Sequence, residues 1–575
     1  MNVLGITQSN HGSSAALYDG ASLFATNEER FDRIKFSSGF PSRSIDWCLK
    51  EANISMEEVD SIGFYMTSGH YLRTLGNNLT NSWRSYPESI YSVLSRLLRK
   101  TEFSRGTDIQ HIHQTTTLFG GKKMDLHFID HHLSHAAGSF LVSGLDRAAI
   151  LCLDGTGDGC SMSWATGQGN DIKFILRQSF PHSLGQFYST FTQFLGFQSN
   201  SDEYKVMGLA AYGDPEIYYD RVRQLISLNE DGSFELDMRY FGFHITTENR
   251  KYNKRFIDLF SLDPNQDTDD VSKEYCDLSA AVQLVTENVL EHVLVKLREK
   301  TGEKNLCYGG GVALNCLANG RVFCNSVFDD YYVMPNPGDG GLAIGAGAYI
   351  THHLEGLKRN YIYDHDYLGP CYDVNSIKKV LDENGIKYTE PKIIERAVAE
   401  RIVKGKVVGH LDGRQEFGPR ALGNRSILAD PRSGEMKDIV NRKIKFREPF
   451  RPFAPSCLSE KAGDIFKMRN CDMNPGSPES FMLCTSEVKD EWQSQLKAIT
   501  HEDGSARLQT VFSDKNPKYH KIISEFENIT GLPVVLNTSF NIKGEPIVLT
   551  PEDAIRCFYT TGMDALALGP YLVEK

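Results

Sequence analysis

Residues 148–165 read AAILCLDGTGDGCSMSWA: an apolar run, a turn rich in glycine and aspartate, and a second, half-apolar run. That pattern is a strand, a tight polar turn and another strand, with glycine giving the backbone the freedom the turn needs. The same grammar opens the chain in NVLGITQSNHGSSAALY, residues 2–18. There Asn2–Thr7 and Ala15–Tyr18 are the strands and Gln8–Ser14 the turn. A third strand, Asn305–Tyr308, meets the glycine turn Gly309–Gly311 and runs into an apolar segment from Val312. A fourth cluster, NPGDGGLAIGAG, occupies residues 336–347. Helical stretches join these units: Ser272–Arg298 carries Leu278, Ala281, Val282, Val285, Val289 and Val293 at the spacing of one buried helix face. Repeated strand–turn–strand units linked by helices predict an α/β fold with a duplicated domain around a cleft; unrelated hairpins are the competing reading.

Working outward, 575 residues make three or four domain-sized units at roughly 100–200 residues each. Hydrophobic residues are 40% and charged residues 24%, a globular balance that excludes a disordered chain. The net charge of −12 argues against coating nucleic acid or an anionic membrane. Twelve cysteines lie scattered with no C-x-x-C pair, which excludes a zinc ribbon and points to reduced thiols in a cytoplasm. No apolar stretch nears the roughly 18 residues that would span a bilayer. MNVLGITQSNHGSS lacks the basic start of a secretion signal. A domain boundary is expected in residues 356–373. Beyond it, residues 401–451 hold 13 Lys+Arg against six Asp+Glu, a basic tract in an acidic chain. The C-terminal part predicts a strand at Pro533–Leu536, a helix after Thr550 and Pro551, and a last strand at Ala565–Leu568.

Three constellations carry chemistry. In DHHLSHA, residues 130–136, an Asp130 cap would set His131 and His135 one helical turn apart on one face, about 5–6 Å between Cβ atoms. Two neutral imidazoles so placed can hold a divalent ion once carboxylates complete the shell, and Asp154 or Asp158, with Asp339, stand in glycine turns suited to supply them; a solvated helix start that is merely rich in histidine is the competing reading. Mixed imidazole and carboxylate ligation favours Fe(II), Mn(II) or Zn(II). The turns GDG, GGG and GDGG present backbone N–H groups to phosphate, although none is a P-loop. The basic tract, GRQEFGPRALGNRSILADPR and KIKFREPFRPFAP, sets arginines among residues that restrict the backbone. That arrangement favours a pocket for a small phosphorylated ligand over a solvated charged face. LNTSFNIKGEPIV adds Asn537, Thr538, Ser539 and Asn541 in a turn after a strand, suited to ribose or phosphate contacts and equally explained as turn chemistry.

Together these residues resemble the O-carbamoyltransferases of the NodU/CmcH type. The resemblance covers almost the whole chain. It rests on HGSSAAL (11–17), ERFDRIKFSSGFP (29–41), DHHLSHAAGSF (130–140), LDGTGDG (153–159), EYKVMGLAAYG (203–213), GGVALN (310–315), PNPGDGGLAIGAG (335–347), EFGPRALGNRSILADPR (416–432), FREPFRPFAPS (446–456) and LNTSFN (536–541). It implies an N-terminal domain of the actin-like ATPase superfamily, similar to the TsaD threonylcarbamoyl transferase, over residues 1–360. A C-terminal YrdC-like α/β domain would follow over residues 370–575.

The resemblance also implies the chemistry. ATP and carbamoyl phosphate would form carbamoyl-adenylate in the C-terminal domain, where Arg420, Lys445, Arg451, Arg507, Asn537 and Ser539 take nucleotide and carbamoyl phosphate. Transfer to a small-molecule hydroxyl would follow in the N-terminal domain. There the metal, iron first, falls to His131, His135, Asp154 and Asp339, and the adenylate to Asp158, Gly310, Gly311 and Asn315. His11 matches the general base and Lys35 a lysine near the substrate end. HGSS departs from the H-D-A-S of several members, which bears on acceptor contacts beside His11. A homodimer through the N-terminal domains is implied, with no nucleic-acid or membrane partner. The region Met66–Lys123 is a candidate for shaping the acceptor pocket. The competing functions are a fused tRNA threonylcarbamoyl system, which needs a broad positive surface, and a non-catalytic actin-like nucleotide switch. Hydrogenase-maturation carbamoyltransferases carry C-x-x-C fingers that this chain lacks.

Overall fold

Fully buried apolar runs such as VLGIT at Val3–Thr7 become central strands, because both of their faces are covered. The computed structural model describes residues 1–9, 11–67, 110–117, 123–244, 250–268, 271–469 and 474–575. Most of Met66–Lys123, the region considered for the acceptor pocket, therefore lies outside the described residues. The chain divides into two compact units. One comprises Met1–Thr7, Ala15–Leu23 and Leu49–Ile362; the other comprises Gln8–Ser14, Phe24–Cys48 and Tyr363–Lys575.

In the N-terminal half, β1 (Val3–Thr7), β2 (Ser14–Tyr18), β3 (Leu23–Asn27), β4 (Ser61–Phe64), β5 (His111–Thr117) and β6 (Lys123–Ile129) form a sheet in the order β3-β2-β1-β4-β6-β5. The pairs β1/β4 and β4/β6 are parallel, and β5 lies antiparallel on β6. Then come β7 (Arg147–Gly157), β8 (Cys160–Gln168) and β9 (Asp171–Ser179), the hairpin β10 (Ile226–Leu228) and β11 (Phe234–Leu236), and β12 (Asn305–Gly309) and β13 (Asp330–Val333). The second sheet runs β13-β12-β7-β8-β9, with β7/β12 and β12/β13 parallel. Read from the strand that opens each repeat, the orders β3-β2-β1-β4-β6 and β9-β8-β7-β12-β13 are the same. This is a duplicated α/β arrangement, as the repeated turns implied. The strand expected at Ala148–Leu153 runs further, through Asp154 to Gly157, because β8 pairs along it with a register shift between Leu153 and Gly157.

The other unit is built on β14 (Val408–Leu411), β15 (Arg425–Ala429), β16 (Ala454–Leu458), β17 (Ser486–Glu487), β18 (Ser505–Ala506), β19 (Gln509–Val511), β20 (Val534–Ser539), β21 (Ala565–Leu568) and β22 (Tyr571–Glu574). Seven of these make a mixed sheet in the order β19-β16-β20-β15-β14-β21-β22. Helices Ile394–Val403, Pro517–Thr530 and Pro551–Thr560 flank it, and its core includes Val398, Ile427, Phe526, Val535 and Phe558. Thr550 and Asp553 close a capping box on the helix that begins at Pro551, satisfying two of its free N–H groups. The segment Phe24–Cys48 is fixed in this unit by Arg33, which donates to the carbonyls of Ile547 (2.7 Å) and Pro546 (2.9 Å). Among the described residues no helix is long and apolar enough to cross a membrane, and the described cysteines are free thiols.

Candidate metal centre and cationic pocket

Asp130 caps the helix His131–Phe140: its carboxylate accepts from Leu133 N at 3.1 Å and from Arg177 at 2.6 Å. Position i and i+4 spacing then sets His131 and His135 on one face, 2% and 0% exposed. Asp154 projects from β7 at its register shift, and Asp339 begins the short turn before the helix Leu342–Ala348. Two glycines make the convergence possible. A Cβ on Gly345 would lie 1.9 Å from the Ser134 carbonyl oxygen, so only glycine lets the two helices approach. A Cβ on Gly157 would lie 2.0 Å from the His131 ring.

The result is a tight cluster. His131 Nε2 stands 3.0 Å from Asp154 Oδ2, 3.6 Å from Asp339 Oδ1 and 3.1 Å from His135 Nε2. His135 Nε2 is 3.9 Å from Asp154 Oδ2 and 4.0 Å from Asp339 Oδ1. All four ligand atoms lie within 4.8 Å of one another. An ion bound at about 2.0–2.2 Å needs donor atoms spaced much like this, so the residues fit a divalent transition metal. Asp154 Oδ1 is free of that role and accepts from Gly311 N at 3.1 Å, which steers the carboxylate.

The electrostatics point the same way. Burial opposes charge on His131, but the Asp154 hydrogen bond and the carboxylates of Asp339, Asp154 and Asp158 outweigh it and push its pKa up to about 9. Burial, then the neighbouring His131 charge, brings His135 down to about 4. Burial works against Asp154 as well, yet the imidazoles hold it well below the usual carboxylate range. A proton on this pair of imidazoles and a divalent cation would compete for the same donor atoms.

Asp158, Gly310, Gly311 and Asn315 lie in the same unit. Asp158 turns inward: its Oδ2 accepts from Thr67 N (2.9 Å) and His131 N (3.2 Å). Burial, then Asp130, raises its pKa to about 7. Gly310, at φ +93°, and Gly311 form the turn after β12. Asn315 caps the next helix by accepting from Ala318 N at 3.0 Å.

The remaining expected residues all belong to the second unit. Lys445 is 6% exposed. Its ammonium donates to Ser539 O (2.5 Å), Ser539 Oγ (3.1 Å), Asn541 O (3.1 Å) and Asn541 Oδ1 (2.8 Å). Burial, then the cations Arg447, Arg451 and Lys35, push its pKa well below the usual lysine range. Lys445, Ser539, Arg451 and Lys35 therefore form one neighbourhood. Arg451 pairs with Glu448 at 3.3 Å. Arg420 and Arg507 are half-buried. Asn537 is fully buried and donates to Ala421 O, Ser456 Oγ and Gln509 Oε1, each at 3.0 Å, so it holds the sheet together. His11 is exposed, in a loop tied through Ser13 N to Ser37 O at 2.8 Å.

Two features escaped the sequence reading. Arg425, within the basic tract, is completely buried and donates to the carbonyls of Asp412, Gly413, Asn424, Pro370 and Leu549, a structural clamp. Gln283 and Glu287 lie buried in the apolar stripe of the helix Lys273–Thr301 and face Asn315. Polar residues at i and i+4 inside such a stripe were the available signal.

One α/β unit, duplicated, carries a buried imidazole–carboxylate cluster, and the other carries a buried lysine among arginines. Family profiles agree: "Carbamoyltransferase N-terminus" matches residues 2–348 and "Carbamoyltransferase C-terminus" matches residues 399–575. An uncharacterised protein of Synechocystis sp. is 40% identical across 100% of this chain and 97% of its own length. The nodulation protein NolNO of Sinorhizobium fredii is 36% identical over 98% of this chain and 79% of its own length. Nodulation protein U of the same species is 28% identical over 97% of this chain and 96% of its length. The chain belongs to the carbamoyltransferase family of the NodU/CmcH type and is a carbamoyltransferase.

Proposed function

We propose that the protein is an ATP-dependent O-carbamoyltransferase that makes carbamoyl-adenylate from carbamoyl phosphate and ATP, then carbamoylates a hydroxyl of a small-molecule acceptor. The observation that carries this reading is the presence of a metal-type cluster in one unit and, in the other, a buried lysine surrounded by the cations Arg447, Arg451 and Lys35. Lys445, with Arg451, Arg420 and Arg507, would bind the phosphates of ATP and carbamoyl phosphate; bidentate arginine forks and a buried ammonium suit that task. Ser539 contributes a hydroxyl at the same place. Water first releases phosphate from carbamoyl phosphate, leaving carbamate; the carbamate oxygen then attacks the α-phosphorus of ATP and pyrophosphate leaves as the mixed anhydride forms.

In the transfer step the acceptor oxygen attacks the carbamoyl carbon and AMP departs. His11, which is exposed, would take the acceptor proton, and Lys35 would help hold the substrate. His131, His135, Asp154 and Asp339 would hold the ion, iron(II) first and manganese(II) or zinc(II) next. When bound, that ion supplies charge stabilisation to the carbamoyl or phosphoryl oxygens. Gly310 and Gly311 would present backbone N–H groups to the adenylate, with Asp158 and Asn315 shaping the turn around it. The enzyme so read is a cytoplasmic homodimer that needs no nucleic acid or membrane.

The test is release of pyrophosphate from ATP. It should require carbamoyl phosphate and be lost in Arg451→Ala, while His11→Ala keeps it and loses transfer to any accepted alcohol. Loss of the same step in both variants contradicts the scheme. A mass-spectrometric screen of alcohols for gain of one carbamoyl group identifies the acceptor.

A further inference from the structure

The long helix Lys273–Thr301 buries several polar residues, among them Gln283 (0% exposed) and Glu287 (6% exposed) one turn apart. Such groups cost stability unless their partners are placed for them. Here the partners form a chain. Arg321 lies 3.2 Å from the Glu287 carboxylate. Gln283 Nε2 donates to Glu287 Oε1 at 2.8 Å and to Asn315 Oδ1 at 3.2 Å. Gln283 Oε1 accepts from the Tyr188 hydroxyl at 2.8 Å and from Asn315 Nδ2 at 3.1 Å.

The donor and acceptor inventory fixes the direction of every link. A carboxylate paired with arginine can only accept, so Gln283 must turn its NH2 toward Glu287. Its carbonyl then faces Tyr188 and Asn315 Nδ2. That in turn leaves Asn315 Oδ1 as the acceptor for Ala318 N, the cap of the helix Cys316–Cys324. Asn315 ends the glycine turn that begins at Gly309, and within that turn Gly311 N donates to Asp154 Oδ1 at 3.1 Å. Five side chains thus run from a half-exposed arginine to a carboxylate of the four-residue cluster.

We propose that Gln283, oriented by Glu287, is a positioning residue for the metal centre: it fixes Asn315 and the Gly309–Asn315 turn, and through Gly311 N the orientation of Asp154. The inference rests on the reading of His131, His135, Asp154 and Asp339 as metal ligands. It gives this chain's own residues a role outside the ligand set and outside the adenylate contacts.

The experiment measures Mn2+ affinity of the full-length protein by titration calorimetry. Gln283→Met removes every hydrogen bond at nearly constant volume and should weaken Mn2+ binding about 10-fold, the lower end of what outer-shell partners cost. Carbamoyl-phosphate-dependent pyrophosphate release, which belongs to the second unit, should stay unchanged. Glu287→Gln keeps the size and shape of the side chain, frees the Gln283 amide to invert, and should weaken Mn2+ binding to a smaller extent; it serves if Gln283→Met does not fold. Wild-type Mn2+ affinity in the folded variants overturns the proposal. So does a parallel fall in Mn2+ affinity and pyrophosphate release, which marks a merely structural role. Absence of pyrophosphate release in the unmodified protein would instead strike the proposed function, and the Mn2+ comparison would still decide the role of Gln283.

Discussion

The metal-type cluster and the Lys445 pocket are both buried and both charged, yet they are unfinished in opposite senses. In the first, two imidazoles face two carboxylates, which against burial drive His131 up to about 9. In the second, a buried ammonium sits among Arg447, Arg451 and Lys35 and is driven far below the usual lysine range. The cluster suits a cation. Around Lys445 the four oxygens of Ser539 and Asn541 offer dipoles, and the neighbouring carboxylate of Glu448 is paired with Arg451. Placed in one chain, these opposite needs are what the proposed two-stage transfer would use.

The largest expected effects separate the two regions. His131→Ala and His135→Ala should each drop bound transition metal from one equivalent to near zero by elemental analysis, since removing a ligand costs more than the 10–100-fold of outer-shell changes. Lys445→Met should keep that equivalent and lose pyrophosphate release by about 100-fold or more, as the loss of a buried charge against phosphoryl oxygens implies. Metal loss in Lys445→Met would break the comparison.

A middle-sized effect sharpens it. Gly157→Ala puts a methyl 2.0 Å from the His131 ring and should destabilise the protein by about 1–3 kcal/mol in chemical denaturation, as overpacking does. Mn2+ affinity should fall with it, while nucleotide affinity does not.

The smallest effect is in pH dependence. His131 is raised on folding, so its contribution to the ion-free protein is complete below the unfolded value near 6.5 and lost as pH rises through about 9. His135 is depressed, so its neutral form becomes a liability as pH falls from about 6.5 toward about 4. The thermal midpoint of the ion-free protein should therefore peak between pH 6 and 7, by roughly a few degrees. Mn2+ affinity should rise with pH up to about 9 as the competing proton leaves, then level off. A flat Mn2+ profile over that range would mean that no proton competes for the imidazoles.

Much of the first unit was legible because its signals are local. The Asp130 cap and the i, i+4 histidines lie within six residues, and the apolar run Ala565–Leu568 in the second unit became a strand as read. What was illegible depends on partners far along the chain. Arg425 looked like its neighbours in the basic tract, and only its carbonyl cage, including Leu549 O, makes it structural. Asn537 looked like turn chemistry and is sealed inside the sheet by Ser456 and Gln509. Phe24–Cys48 reads as part of the N-terminal half, whereas Arg33 reaches Ile547, 514 positions away. Asp154 was expected in a turn and stands on a strand, because pairing with β8 continues past Leu153.

The central claim is that ion binding and ATP chemistry belong to separate side-chain sets in one chain. The most direct test assays one preparation of His135→Ala for bound transition metal and for carbamoyl-phosphate-dependent pyrophosphate release. Metal should be absent and pyrophosphate release equal to that of the unmodified protein. Retained metal, or pyrophosphate release lost together with it, would contradict the account.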